Sequence, residues 1–180
     1  NLGAAQGLEV VLDAASRLGE RSPVRWELVG DGNRREALEA EAGRRRLAGR
    51  VVLTPRRPAR EMPELFASAD ALLLSLRPDP ALARTIPSKL QPYLASRRPV
   101  LASANGEPAR IVTEAGAGLA VAAGDGAALA EAAAALAALP REARAAMGEA
   151  GRAYFDAHFS RAALLTRLDA SLADALKEGP

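Results

Sequence analysis

In "QGLEVVLDAASRL" (6–18), apolar residues recur at Leu8, Val11, Leu12, Ala15 and Leu18, the spacing of one buried helix face. The pattern then changes. "VRWELVGDG" (24–32) alternates and runs into Gly-Asp-Gly, which predicts a strand and a turn. "NRREALEAEAGRR" predicts a polar-faced helix with Asn33 suited to its N-cap. "RVVLT" (50–54) reads as a strand, and "EMPELFASA" (61–69) as a short helix with Pro63 in its first turn. "DALLLSL" (70–76) is an apolar run fit for a strand buried on both faces. After the loop "RPDPALARTIP", a helix is expected over 88–96, a strand in "RPVLAS", a helix over 107–115 and a last strand in "GLAVA". Three helices follow, over 126–139, 141–157 and 161–176, the second with Gly148 inside its pattern. Strands alternating with helices imply right-handed crossovers and a parallel sheet covered on both faces. The expected fold class is therefore α/β: one Rossmann-like, doubly wound domain over 1–180 that ends in helices. The chain opens with Asn-Leu-Gly leading straight into a helix, as if a strand had just ended, so it reads as a piece of a longer protein.

Composition narrows the chemistry. Apolar residues make up 49% of the 180, aromatic ones only 3%, so Ala, Leu and Val must build the core. The same scarcity removes a stacking platform for single-stranded nucleic acid. Net charge is +2, with Arg and Glu interspersed as on solvated helix faces. The basic cluster "GRRRLAGR" (43–50) reads as a helix end and loop, with contact to an anionic membrane surface as its other use. There is no cysteine, hence no disulfide, thiolate metal site or thiol nucleophile, which fits a reducing compartment. No metal-ligand cluster, GxSxG, HExxH or P-loop pattern is present. The single histidine, His158 in "YFDAHFS", has aromatic neighbours and reads as a packed helix end. Any catalysis must then work by positioning and by stabilising a leaving group.

An open α/β sheet binds ligands at the carboxyl ends of its strands, where helix N-termini receive phosphates. Five loops qualify. "NLGAAQG" holds Gly3 and Gln6 and is either an anion loop or a tight turn. "VGDGN" holds Gly30, which serves either a structural turn or the approach of a ligand to the strand end. "LTPRRPAREMP" holds Thr54 and Arg56, the latter, or Arg57, able to fork onto a phosphate; a solvated arginine is the other reading. "RTIPSKLQ" holds Thr85, Ser88, Lys89 and Gln91. Of the 24 basic residues only Lys89 and Lys177 are lysine. Lys89 is expected in the first helical turn, where a cation opposes the helix dipole by roughly 0.3–1 kcal/mol. A bound diphosphate reverses that sign; a plain surface lysine is the other reading. "ANGEPARIV" places Glu107 at a helix start, as a capping charge, an acceptor for sugar hydroxyls, or both.

These segments, above all "IPSKLQPYLASRRPVLAS" followed by "GEPARIV", resemble the C-terminal half of GT-B glycosyltransferases. More narrowly they are similar to family 4 enzymes of bacterial surface-polysaccharide and O-antigen assembly. The resemblance implies a domain that binds a nucleotide sugar, UDP-linked, and a separate N-terminal domain, absent here, that holds the acceptor. Transfer would occur with retention, without a metal or other cofactor. Gly3 and Gln6 would lie near the diphosphate, Arg56 and Lys89 would neutralise it, and the loop around Thr54 would sit near the base. Residues 84–91 would line the sugar and ribose side, and the last helix would lean toward the absent half. A lipid-linked acceptor would place the enzyme at the cytoplasmic membrane face. The chain departs from the family at Gln6-Gly7, where Lys-Gly is common. It departs again at Arg84 and Pro92, which stand in the register of a Glu-x7-Glu pair, with Gln91 or Glu107 as substitutes. A sugar-nucleotide epimerase of the same architecture and a non-catalytic nucleotide-binding module are the alternatives.

Overall fold

The structure, a computed structural model, describes residues 1–19 and 21–177. Strands and helices alternate along the chain as the periodicity predicts. The order is α1 (Glu9–Arg17), β1 (Trp26–Val29), α2 (Arg35–Arg44), β2 (Val51–Thr54), α3 (Met62–Ser68), β3 (Leu72–Ser75), α4 (Leu90–Ala95) and β4 (Val100–Ser103). Then come α5 (Glu107–Glu114), β5 (Gly118–Val121), α6 (Gly126–Ala138), α7 (Arg141–His158) and α8 (Arg161–Lys177). Every strand pairing is parallel. β1 pairs with β2, Trp26 opposite Val51, and β4 lies between β3 and β5, with Val100 opposite Leu72 and Gly118.

The alternation of side chains along β4 divides the core in two. Leu101 joins the cluster of α1 and α6, where Val11, Leu12, Leu129 and Leu136 meet Trp26, Leu28 and Val51. Val100 and Ala102 face the other way, onto Leu90 and Leu94 of α4 and Ile111 and Val112 of α5. β4 is therefore buried at all four positions, as a strand between two helical layers must be. Each fully buried leucine contributes on the order of 1.5–3 kcal/mol relative to exposure. Gly148, a weak point in the helical pattern, is buried in α7 against the Arg97 backbone, and a Cβ there would overlap the Arg97 carbonyl. It trades helix propensity for close packing.

Two helix starts differ from expectation. α2 is flanked by Arg34, not capped by Asn33, because the Arg34 N–H donates to the Leu2 carbonyl at 3.1 Å. The opening segment does the work of a cap. α4 begins at Leu90, so Lys89 flanks the helix and no side chain, Ser88 included, caps it. A turn closed by Leu90 N–H to the Pro87 carbonyl (2.9 Å) takes up residues 87–89.

Candidate functional site

The opening segment bridges the carboxyl ends of β1 and β3. On one side the Leu2 N–H donates to the Asp31 carbonyl at 2.8 Å. On the other, the buried Ser75 hydroxyl donates to the Gln6 carbonyl at 2.7 Å, and the Arg77 N–H to the Ala5 carbonyl at 3.0 Å. Between them Ala4–Gln6 forms one 3-10 turn, in which the Gly3 N–H donates to Gln6 Oε1 at 3.0 Å. Gly7 leaves this turn at φ 53°, and a Cβ there would stand 2.9 Å from Arg77 Cα. Only glycine allows that approach without strain. The result is a rigid floor tied to two strand ends.

Facing this floor is the segment 85–89. Gln6, Ser75, Thr85, Pro87, Ser88 and Lys89 line a cleft of about 220 Å³. Lys89 is half-buried, and desolvation holds its ammonium below the ordinary lysine range; a hydrogen bond with the Asn1 amino group opposes that shift. Lys89 thus faces the opening segment at Asn1, and Arg56 stands exposed on the loop after β2. Among the described residues no carboxylate pairs with Lys89. A partly desolvated ammonium without an acid beside it gains most from an arriving anion.

The other expected residues are distributed around this cleft. Gly30 is buried against Asn1, and its N–H donates to the Thr54 carbonyl at 3.1 Å, so the two expected loops join at the β1–β2 rim. Arg35 covers that rim, donating to Gly30 O (2.8 Å), Thr54 O (3.1 Å) and Leu53 O (3.3 Å). Gln91 lies on α4 outside the cleft lining. Glu107 begins α5 and is engaged by Arg110 at 2.8 Å, which holds its carboxyl below the usual range. Gly106, at φ 66°, meets the Ala83 backbone, so the turn Leu82–Arg84 rides on the start of α5.

Four contributors escaped the sequence reading. Ser75, Arg77 and Arg35 are tied to the site by long-range bonds that no local pattern encodes. Asp79 accepts from Ala81 N–H (2.8 Å) and pairs with Arg77 (2.7 Å), ordering the loop that leads to Thr85. Its Asp-Pro dipeptide was a legible turn signal. A larger groove of about 540 Å³ runs along α5 and β5. Its Arg110 is committed to Glu107 and Glu114, so the smaller cleft has the better claim as a site.

Parallel ladders with helices on both faces, and open strand ends that carry positive charge, define a Rossmann-like α/β domain. The chain belongs to the family described as glycosyl transferases group 1, which it matches over residues 1–138, and is a GT-B glycosyltransferase-type domain. It is similar in structure to HepE of Anabaena in complex with UDP, with a TM-score of 0.80 and 19% identity over 97% of this chain and 47% of that one. A glycosyltransferase from Rickettsia africae gives a TM-score of 0.80 and 19% identity over 99% of this chain and 47% of that one. WaaG, a glycosyltransferase involved in lipopolysaccharide biosynthesis, gives 0.68 and 24% over 86% and 40%. The chain therefore spans less than half the length of each of these proteins. No curated protein sequence matches it. No helix among the described residues is long and apolar enough to cross a membrane.

Proposed function

We propose that residues 1–180 are the donor-binding half of a two-domain, family 4-type glycosyltransferase. The donor is a nucleoside diphosphate sugar, with UDP as the nucleotide, and the acceptor is a polysaccharide or lipid-linked precursor. The bond from the sugar to the diphosphate breaks, a bond to the acceptor hydroxyl oxygen forms on the same face of the sugar, and the hydroxyl proton passes to the departing diphosphate. The observation that carries this reading is the half-buried Lys89, with no carboxylate partner among the described residues, in one cleft with Gln6, Thr85 and Ser88. The diphosphate lies over the Ala4–Gln6 turn, Lys89 acts on it as a compact point charge, and Arg56 forks onto a second oxygen. Charge that grows on the departing diphosphate is stabilised by both. Gly30 and Thr54 flank the nucleoside side; Gln91 and Glu107 lie toward the sugar. The UDP complex of HepE and the pathway of WaaG support the choice of donor and acceptor class. An acceptor domain outside this chain accounts for the remaining length of these relatives. A lipid-linked acceptor puts the whole enzyme at the cytoplasmic membrane face, and this half alone binds donor without transferring it.

Calorimetric titration of the chain with UDP, UDP-sugars and inorganic pyrophosphate tests the proposal. Saturable binding of UDP, with competition by pyrophosphate, is expected. Indifference to every nucleotide refutes the donor reading.

A further inference from the structure

We propose that Asp79 is a positioning residue that sets the gap between the floor of the cleft and its facing wall, an inference that rests on the donor-site reading above. The two sides are joined by the loop 77–84, which follows β3 and delivers first Thr85 and then Lys89 to the cleft. None of the residues in its sequence, "RPDPALAR", is buried, so packing alone does not fix its path. Pro78 and Pro80 restrict the torsions on either side of Asp79 but offer no N–H. The bonds that hold the loop must come from another group.

They come from one aspartate. Asp79 Oδ1 accepts the Ala81 N–H at 2.8 Å and, at longer range, the Leu82 N–H at 3.4 Å, while Oδ2 accepts from Arg77 Nη2 at 2.7 Å. Its carbonyl takes the Ala83 N–H at 3.0 Å. Arg77 belongs to the floor: its N–H donates to Ala5 O at 3.0 Å, and its Cα closes onto Gly7. Leu82 belongs to the wall: it lines the cleft, and its carbonyl accepts the Thr85 N–H (3.3 Å) and the Thr85 hydroxyl (3.1 Å). The Asp79 side chain therefore ties floor to wall. Asparagine keeps an oxygen for the Ala81 N–H but turns an amide NH2 onto Arg77, which has only donors. The extra methylene of glutamate carries its oxygens past the N–H two residues on, which a short side chain reaches. The pair with Arg77 is 24% exposed on the Asp79 side and 53% on the other, and exposed pairs add little to folding. Its loss is felt in the cleft instead, because a wall that is not held must be ordered by the arriving ligand.

UDP titration of wild type, Asp79→Ala, Asp79→Asn and Asp79→Glu, each with a melting curve, tests this. Asp79→Ala is expected to weaken UDP about tenfold, the cost of ordering one loop at the site, with a melting temperature within about 3 °C of wild type. Asp79→Asn, which keeps the acceptor for Ala81 and loses only the exposed pair, should stay within about threefold. Asp79→Glu should lose as much as the alanine variant, and the contrast between asparagine and glutamate carries the test if Asp79→Ala fails to fold. In a Lys89→Ala background Asp79→Ala should cost less than about threefold, because the main contact that it places is already gone. Asp156→Ala, which breaks an exposed pair with Arg152 on α7 outside the cleft lining, should bind as wild type. Unchanged UDP affinity in Asp79→Ala overturns the proposal, as does a loss of the same size in the Lys89→Ala background. So does an asparagine variant as weak as the glutamate one. A wild-type chain that binds no UDP overturns the donor-site reading before any substitution is made, and this inference with it.

Discussion

Lys89→Ala separates a binding residue from a stabilising one because the two roles predict opposite signs. In the free chain two effects act against the ammonium. It is half-buried, and it flanks the amino end of α4. The helix dipole alone opposes it by about 0.3–1 kcal/mol. Removing it should leave stability unchanged or slightly higher. A diphosphate reverses the balance. At about 4 Å and an effective dielectric of about 20, one unit of opposite charge attracts the ammonium by about 4 kcal/mol before desolvation is subtracted. The net value of a hydrogen bond to a charged group is about 1.5–3 kcal/mol. UDP affinity should therefore fall roughly 10- to 150-fold at about 1.4 kcal/mol per tenfold. Calorimetry reads the affinity, and a thermal melt reads the stability. Lys89→Met, which keeps the aliphatic stem, controls for lost packing. Two results refute the reasoning: UDP affinity within twofold of wild type, or a melting temperature lowered by more than about 3 °C, roughly 1 kcal/mol for a chain of this size.

Further predictions follow from the same geometry. Burial lowers the Lys89 pKa from the ordinary value of 10.5, so UDP affinity should fall as pH rises through the lowered folded value, and Lys89→Met should flatten that fall. The unfolded chain binds more protons between that value and 10.5, so Lys89 adds a rise in stability with pH across this window, absent in Lys89→Met melts. Gly148→Ala sets a methyl against the Arg97 carbonyl and should destabilise by about 1–3 kcal/mol, although alanine is the better helix former; an equal melting temperature contradicts the close approach of α7. Ser75→Ala orphans the Gln6 carbonyl, should cost about 1–3 kcal/mol in denaturant titration, and should weaken UDP several-fold by loosening the floor.

The order of elements was legible because each has a strong period. The two-faced burial of "DALLLSL" and the stripe of 6–18 left little choice of helix or strand, and the helix and strand limits agree within a few residues. Helix starts were less legible, because long-range bonds decide them. Asn33 had the chemistry of a cap, yet the Leu2 carbonyl takes the Arg34 N–H instead. Ser88 and Lys89 looked like the first turn of a helix, but Pro87 closes its own turn and delays α4. The candidate site was half visible. Gln6, Thr85, Ser88 and Lys89 do share one cleft. What local sequence could not show is how they are held. Ser75 reaches Gln6 across 69 residues and Arg35 reaches Thr54 across 19, and each looks ordinary in its own segment. Glu107 sits at its helix start as read, where Arg110 engages its carboxylate.

The most direct measurement is a crystal structure of the chain with UDP bound. The account predicts diphosphate oxygens within hydrogen-bonding distance of Lys89 Nζ, above the turn that ends at Gln6, with Arg56 on the same group. UDP seated elsewhere, with the Lys89 ammonium in open solvent, would contradict it.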